Sequence, residues 1–217
     1  AADLYEESYR LRDGAGDVLG AVMALNNLGE IRSDQRRFDE ARRFFDDALR
    51  RGKAANTTLL IHVLEANRGR LATRLGEFDD AEALLDTALA GFTEIDSASF
   101  IVDTELRRVE LLAARERWPE AEREASRLLL AAAERKAGAA ETVPLMRIRA
   151  AAAAAAGDRD GAVELLREAL RTAEEGGIRY QRASTLMELS AFEPDAGHRT
   201  GAIELFQALG VNLEQLV

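Results

Sequence analysis

The sequence predicts an all-α solenoid of about five helical hairpins, and three observations carry that expectation. A small residue recurs at Ala1, Ala41, Ala81, Ala121, Ala162 and Ala202, at intervals of 40, 40, 40, 41 and 40 residues. The third, fourth, seventh and eighth residues after it are mostly apolar: Phe44, Phe45, Ala48 and Leu49, then Leu84, Leu85, Ala88 and Leu89, then Leu165, Leu166, Ala169 and Leu170. That spacing marks one face of a 3.6-residue helix. Just upstream, Phe38, Phe78 and Trp118 share one position, as bulky plugs at the start of the same helix. Self-similarity at a period of ~34–47 residues, two helices to the unit, marks a stack whose neighbours bury the faces that one repeat cannot.

Residues 1–12 already have the phase of a second helix, with Leu4, Tyr5, Ser8 and Tyr9 matching Phe44, Phe45, Ala48 and Leu49. The chain therefore opens on a partial repeat, and we expect it to be a piece of a longer protein. Tyr5 and Tyr9 would then form an incompletely covered apolar edge, a candidate surface for homo-oligomer formation. Gly14 and Gly16 make the loop into the first complete repeat, 18–52, with Asp17 as N-cap. Its helices run over 18–34 and 38–51, with Asp39 and Glu40 in the first turn of the second and Arg50, Arg51 and Lys53 at its end, as the helix dipole favours.

The second repeat, 57–95, divides at Gly76 into helices at 57–75 and 78–95. The third, 99–136, is weaker, with Glu124 and Ala125 at two anchor-following positions, and Pro119 opens its second helix at 118. The fourth, 141–175, is split by Gly157 with Asp158 as cap, and Gly176–Gly177 stops it. The fifth, 178–209, has a first helix at 180–192, a loose turn at 193–197 and a short second helix at 200–209. The tail 211–217 is amphipathic and suits a cap over the end of the stack.

Composition narrows the function. The apolar fraction of 47% and charged fraction of 31% are those of a folded domain rather than a disordered one. Three prolines, long Ala/Leu/Glu/Arg stretches and no β-type alternation favour helix throughout. The net charge of −10 argues against nucleic acid as a partner, since the basic pairs Arg36–Arg37 and Arg42–Arg43 are flanked by acids. Without cysteine there is neither disulfide nor thiolate site, which fits a reducing cytoplasmic setting. No apolar run approaches the ~18–20 residues of a membrane span, so no membrane partner is expected.

Leu25, Leu28, Gly29, Ala41, Phe45 and Ala48 stand where the tetratricopeptide repeat (TPR) pattern has Leu, Leu, Gly, Ala, Phe and Ala. Gly69, Ala81, Leu85 and Ala88 repeat most of it, as do Ala150, Ala162, Leu166 and Ala169. The chain thus resembles the TPR family along nearly its whole length, with units about six residues longer than the common ~34. Long units of this kind resemble those in the C-terminal halves of bacterial signal-transduction ATPases of the maltose-regulon-activator type and of multidomain adenylate cyclases.

The resemblance implies a right-handed α-α superhelix whose first helices line a concave face, with the second, fifth, sixth and ninth positions of each repeat pointing into it. Those positions are Met23, Asn26, Asn27 and Glu30; Val63, Ala66, Asn67 and Arg70, with Arg74 a turn further; Asp103, Leu106, Arg107 and Glu110; and Arg147 with Ala151. We take Asn26, Asn27, Glu30, Asn67, Arg70, Arg74, Arg107, Glu110 and Arg147 as the candidate peptide- or ligand-binding residues. Amides and guanidiniums there suit an extended peptide's backbone and carboxylates. Alternatively, they pair with Glu30, Glu65, Glu105 and Glu110 along the same surface and do nothing else. The run Ala150–Ala156 has two readings as well, tight helix packing or a shallow apolar trough for a partner helix or small ligand.

Catalytic chemistry has no obvious seat. His62 and His198 lie in different repeats, no serine sits in a nucleophile elbow, and Gly14-Ala15-Gly16 lacks the strand and lysine of a phosphate loop. Acid pairs such as Asp46–Asp47, Asp79–Asp80 and Glu174–Glu175 fall on outer faces or caps. The expectation is a non-enzymatic chain without cofactor or metal, a scaffold that binds a protein or peptide partner. The alternative is a ligand-sensing arm of a larger ATPase, adenylate cyclase or transcriptional regulator, acting on an intramolecular N-terminal domain.

Overall fold

The computed structural model describes residues 2–215, so the Ala1 anchor and residues 216 and 217 of the expected tail lie outside the described residues. Among the described residues there are eleven α-helices, two short 3-10 turns and no strand. The helices are α1 (Ala2–Gly14), α2 (Val18–Asp34), α3 (Phe38–Ala54), α4 (Thr58–Leu75), α5 (Phe78–Glu94) and α6 (Ala98–Ala114). They continue with α7 (Trp118–Glu134), α8 (Ala139–Ala155), α9 (Arg159–Glu175), α10 (Arg179–Leu189) and α11 (His198–Leu209). The 3-10 turns, Pro194–Ala196 and Leu213–Gln215, fall in the loose turn of the last repeat and in its tail. The all-α repeat architecture expected from the sequence is therefore the one observed.

The chain falls into two compact units, residues 1–111 and 112–217. In the first, α1 packs on α2, α2 and α3 form a hairpin, α3 packs on α4, and α4 and α5 form the next hairpin, with α2 also touching α4. In the second, α7 packs on α8, α8 and α9 form a hairpin, α9 packs on α10, α10 and α11 form another, and α8 touches α10. First helices of successive hairpins are thus direct neighbours within each unit.

The recurring small residue is what lets the helices of a hairpin close. Ala41, Ala81, Ala121, Ala162 and Ala202 all have no solvent exposure. In the α2–α3, α4–α5 and α8–α9 hairpins the first helix also carries a small residue, Gly29, Gly69 or Ala150. A Cβ added at Gly29 would lie 2.5 Å from the Phe45 ring, and one at Gly69 would lie 2.8 Å from Leu85. In the second unit Ala150 and Leu166 pack in one cluster at the same positions. The larger apolar partners fill the space this closeness leaves. Phe45 and Phe92 are fully buried, each worth about 1.5–3 kcal/mol of transfer free energy, and Phe92 stacks on Phe100 at 4.9 Å.

One turn geometry joins nearly all of these helices. Between successive helices from α1 to α10, residues with φ between 52° and 87° stand at Gly16, Arg36, Asn56, Gly76, Asp96, Glu116, Lys136, Gly157 and Gly177. Their interval is 20 residues throughout, apart from 21 between Lys136 and Gly157. Behind each lies the same pair of hydrogen bonds. After α2, Arg37 N–H donates to the Arg32 carbonyl at 2.8 Å and Arg36 N–H to that of Ser33 at 3.0 Å. After α4, Glu77 N–H donates to Ala72 at 2.9 Å and Gly76 N–H to Thr73 at 3.2 Å. These are Schellman caps, which satisfy the last carbonyls of a helix by turning one residue left-handed. At the start of α2 and α9, Asp17 and Asp158 cap Gly20 N–H and Gly161 N–H, each at 2.9 Å, as the sequence predicts. No helix among the described residues is long and apolar enough to cross a membrane.

Five of the left-handed residues are not glycine, and each carries steric strain of about 1–2 kcal/mol. Glu116 and Lys136 are exposed, so replacing them sacrifices little packing. Glu116→Gly and Lys136→Gly are each expected to raise the unfolding free energy by about 1 kcal/mol in a urea titration. A loss of stability at both would refute the strain assignment.

Candidate functional site

The polar residues predicted along the first helices meet in the first unit as a ladder across α2, α4 and α6. On α6, Arg107 Nη1 donates to Asn67 Oδ1 on α4 at 2.6 Å, and Asn67 Nδ2 donates to Asn26 Oδ1 on α2 at 2.6 Å. Asn26 in turn donates to Glu30 at 3.1 Å, one helical turn along α2. Arg107 also pairs with Asp103 at 2.8 Å. A second rung lies one turn further on. There Arg70 grips Glu110 with two bonds, Nε to Oε2 at 3.0 Å and Nη2 to Oε1 at 3.2 Å. Arg74 reaches back to α2, donating to Ser33 Oγ at 2.7 Å and Asp34 Oδ1 at 2.9 Å.

Asn26, Asn67 and Arg107 are buried, at 8%, 3% and 7% exposure. Burial without partners would cost several kcal/mol, and the ladder is the means by which each group keeps its hydrogen bonds. The ladder runs through Asn26 rather than its neighbour Asn27, which is half-buried beside it. In the second unit, Arg147 on α8 donates to Gln181 at 2.8 Å and to Glu188 at 3.1 Å, both on α10. Nearly every rung therefore joins residues one repeat apart.

Burial shapes the titration of these groups in opposite directions. Burial pushes the Glu30 carboxyl above its ordinary value, and Arg107 opposes that while Asp34 reinforces it. Burial also acts to raise Glu110, but Arg70, Arg74 and Arg107 together overcome it and hold the carboxyl low. For Arg107, burial lowers the pKa against the pull of Asp103, whereas Glu110 holds the Arg70 guanidinium above its usual range.

The two histidines are engaged in packing. His62 Nδ1 lies 3.0 Å from Glu65, and its ring meets Phe92 edge-on at 5.9 Å. His198 Nε2 lies 2.8 Å from Glu193. Among the described residues, no group of three or more His, Asp or Glu is placed to hold a metal ion. Sequence reasoning missed Ser33, Asp34, Gln181 and Glu188 as partners in these contacts. Opposite charges at an interval of one repeat, such as Arg74 with Asp34 or Arg147 with Glu188, were the available signal.

Residues 22–56 match the family model of the tetratricopeptide repeat. That segment is α2 and α3, the hairpin that carries Asn26 and Glu30. No curated protein sequence is significantly similar to the chain. Among solved structures, the crystal structure of BtubC (BKLC) from P. vanneervenii matches with a TM-score of 0.60. The match covers 94% of this chain and 85% of that one at 17% identity, a likeness that shows the fold alone.

The two carboxyls of the ladder make opposite predictions for stability against pH. The folded pKa of Glu110 lies below the ordinary 4.5, so its stabilisation is present above that pH and is lost as pH falls through the folded value. The folded pKa of Glu30 lies above 4.5, so its effect runs the other way: stability falls as pH rises from 4.5 through the folded value. Glu110→Gln is therefore expected to destabilise at pH 7 and to flatten the acid limb of a urea-stability profile. Glu30→Gln is expected to lose less at pH 7 than at pH 3, or to gain there. Identical profiles for the two variants would contradict the assignment.

Proposed function

We propose that the chain is a non-catalytic protein-interaction scaffold that binds an extended peptide or partner segment across the first helices of its hairpins. Tetratricopeptide repeats generally mediate protein–protein interaction, and residues 22–56 match that family. The observation that supports the reading most directly is the ladder itself. Guanidiniums and amides from three successive first helices are held in fixed geometry by one another, so a ligand would not have to order them. Arg70 and Arg74 keep 27% and 20% of their side chains exposed, leaving N–H groups beyond those used on Glu110, Ser33 and Asp34. A guanidinium with spare donors is suited to peptide carbonyls and carboxylates.

The competing reading, a ligand-sensing arm of a larger regulator, calls for a pocket closed on most sides and lined by arginine and aromatic groups. A polar, ion-paired floor along α2, α4 and α6 favours the scaffold instead. Partner recognition is tested with an array of 12-residue peptides, its hits remeasured by fluorescence anisotropy against the parent chain and Arg70→Gln/Glu110→Gln. The double substitution removes both charges together and so leaves neither buried and unpaired. Acidic peptides are expected to lose at least ten-fold in affinity, while unchanged binding in a variant of unaltered melting temperature would remove this face from consideration.

A further inference from the structure

Two grooves occupy equivalent places, one within each unit, where the second helix of a hairpin meets both helices of the next. The first lies among α3, α4 and α5, the second among α7, α8 and α9. Their residues correspond through the repeat interval: α3 positions recur 80 residues on, α4 and α5 positions 81 on. Equivalent places in one fold invite a residue-by-residue comparison.

The first groove is bridged by an ion pair of its own chain. Arg42 on α3 reaches across to Glu77 before α5 with bonds of 2.6 and 2.9 Å. Leu71 on α4 lines its floor, and the groove measures about 400 Å³. In the second, Ala152 stands where Leu71 does, with Ala155 and Ala156 lining the floor beside it, and the volume is about 700 Å³. Both sizes lie within the ~300–1,000 Å³ of sites that hold a ligand or an anchor side chain, the second with more room to spare. Trp118 forms one wall.

The charges change as well. Glu122 stands where Arg42 does, and Asp158 where Glu77 does, so acid meets acid and the closing ion pair cannot form. Arg149, the counterpart of Arg68, leans toward Glu122 at 3.4 Å, and its buried Nε has no hydrogen-bond partner. Asp158 spends one oxygen on the Gly161 N–H at 2.9 Å, and no cation pairs with it among the described residues. The groove has thus lost both the leucine and the bridging cation of its counterpart.

We propose that this groove docks a short helical segment of a partner protein, one bearing an aliphatic side chain and, a turn away, an arginine or lysine. The aliphatic group takes the place of Leu71 on the alanine floor beside Trp118. The cation takes toward Asp158 the role that Arg42 has toward Glu77. The proposal does not rest on the ladder of α2, α4 and α6, and Arg70→Gln/Glu110→Gln leaves this groove intact.

Trp118 is the only tryptophan of the chain, so its fluorescence reports on the groove directly. The probes are three capped 14-residue helical peptides of one Ala/Gln host, carrying Leu and Arg, Leu and Glu, or Ala and Arg at positions i and i+4. The Leu/Arg peptide is expected to shift the emission saturably and to bind at least ten-fold more tightly than either control. Ala152→Leu/Ala156→Leu refills the floor, and Glu122→Arg restores the closing cation. Each is expected to weaken the Leu/Arg peptide at least ten-fold. Because Glu122→Arg changes a half-buried rim residue alone, it keeps the test decisive should the double variant melt early. No saturable shift with the Leu/Arg peptide, equal binding of the Leu/Glu peptide, or affinity unchanged by Glu122→Arg would each overturn the proposal.

Discussion

Close approach of the two helices in each hairpin is the constraint on which the rest depends. Ala41, Ala81, Ala121, Ala162 and Ala202 are sealed from solvent, and Gly29 and Gly69 leave no room for a methyl group against Phe45 and Leu85. Small residues at a helix crossing let backbones draw together and larger side chains interdigitate around them, at the packing density of a protein interior. Repeating that arrangement every 40 or 41 residues brings successive first helices into register. Register then decides which side chains meet across helices. Arg70 finds Glu110, Arg74 finds Asp34, and Arg147 finds Glu188, each 40 or 41 residues away.

Much of this was legible in the chain. The helix read as 18–34 is α2 as observed, α9 begins just after the expected cap Asp158, and most other ends fall within three residues of the reading. The turns were legible only in part, because sequence signals for a left-handed cap are chiefly glycines. Gly76, Gly157 and Gly177 stood out, whereas Arg36, Glu116 and Lys136 adopt the same conformation with no such mark. At these positions tertiary packing overrides local preference, and only the 20-residue interval betrays them. The candidate site was legible at the level of the face and not of the individual contact. Asn27 shares its repeat position with Asn67, yet Asn26 makes the bond. Partnership across two helices depends on their stagger, which sequence spacing does not carry.

The two kinds of surface illustrate how a repeat protein diversifies without changing fold. Along α2, α4 and α6 the shared positions are polar, and their mutual bonds keep buried charges and amides satisfied while the Arg70 and Arg74 guanidiniums stay partly exposed. In the grooves the shared positions vary in bulk and charge sign. Leucine and an ion pair narrow one, and alanine with two acids widens the other. Neither change touches Ala81, Ala121 or Ala162, so the hairpins pack alike while their surfaces diverge.

The double-mutant cycle at Gly29 and Phe45 tests the packing constraint most directly. A methyl at Gly29 would sit 2.5 Å from the Phe45 ring, and Gly29→Ala alone should cost about 1–3 kcal/mol by overpacking. Combined with Phe45→Leu, the residue type that faces Gly69 and Ala150, the methyl should regain its room, with a favourable coupling of about 0.5–3 kcal/mol in urea unfolding. Additive effects of the two substitutions, or a Gly29→Ala variant as stable as the parent, would contradict the account.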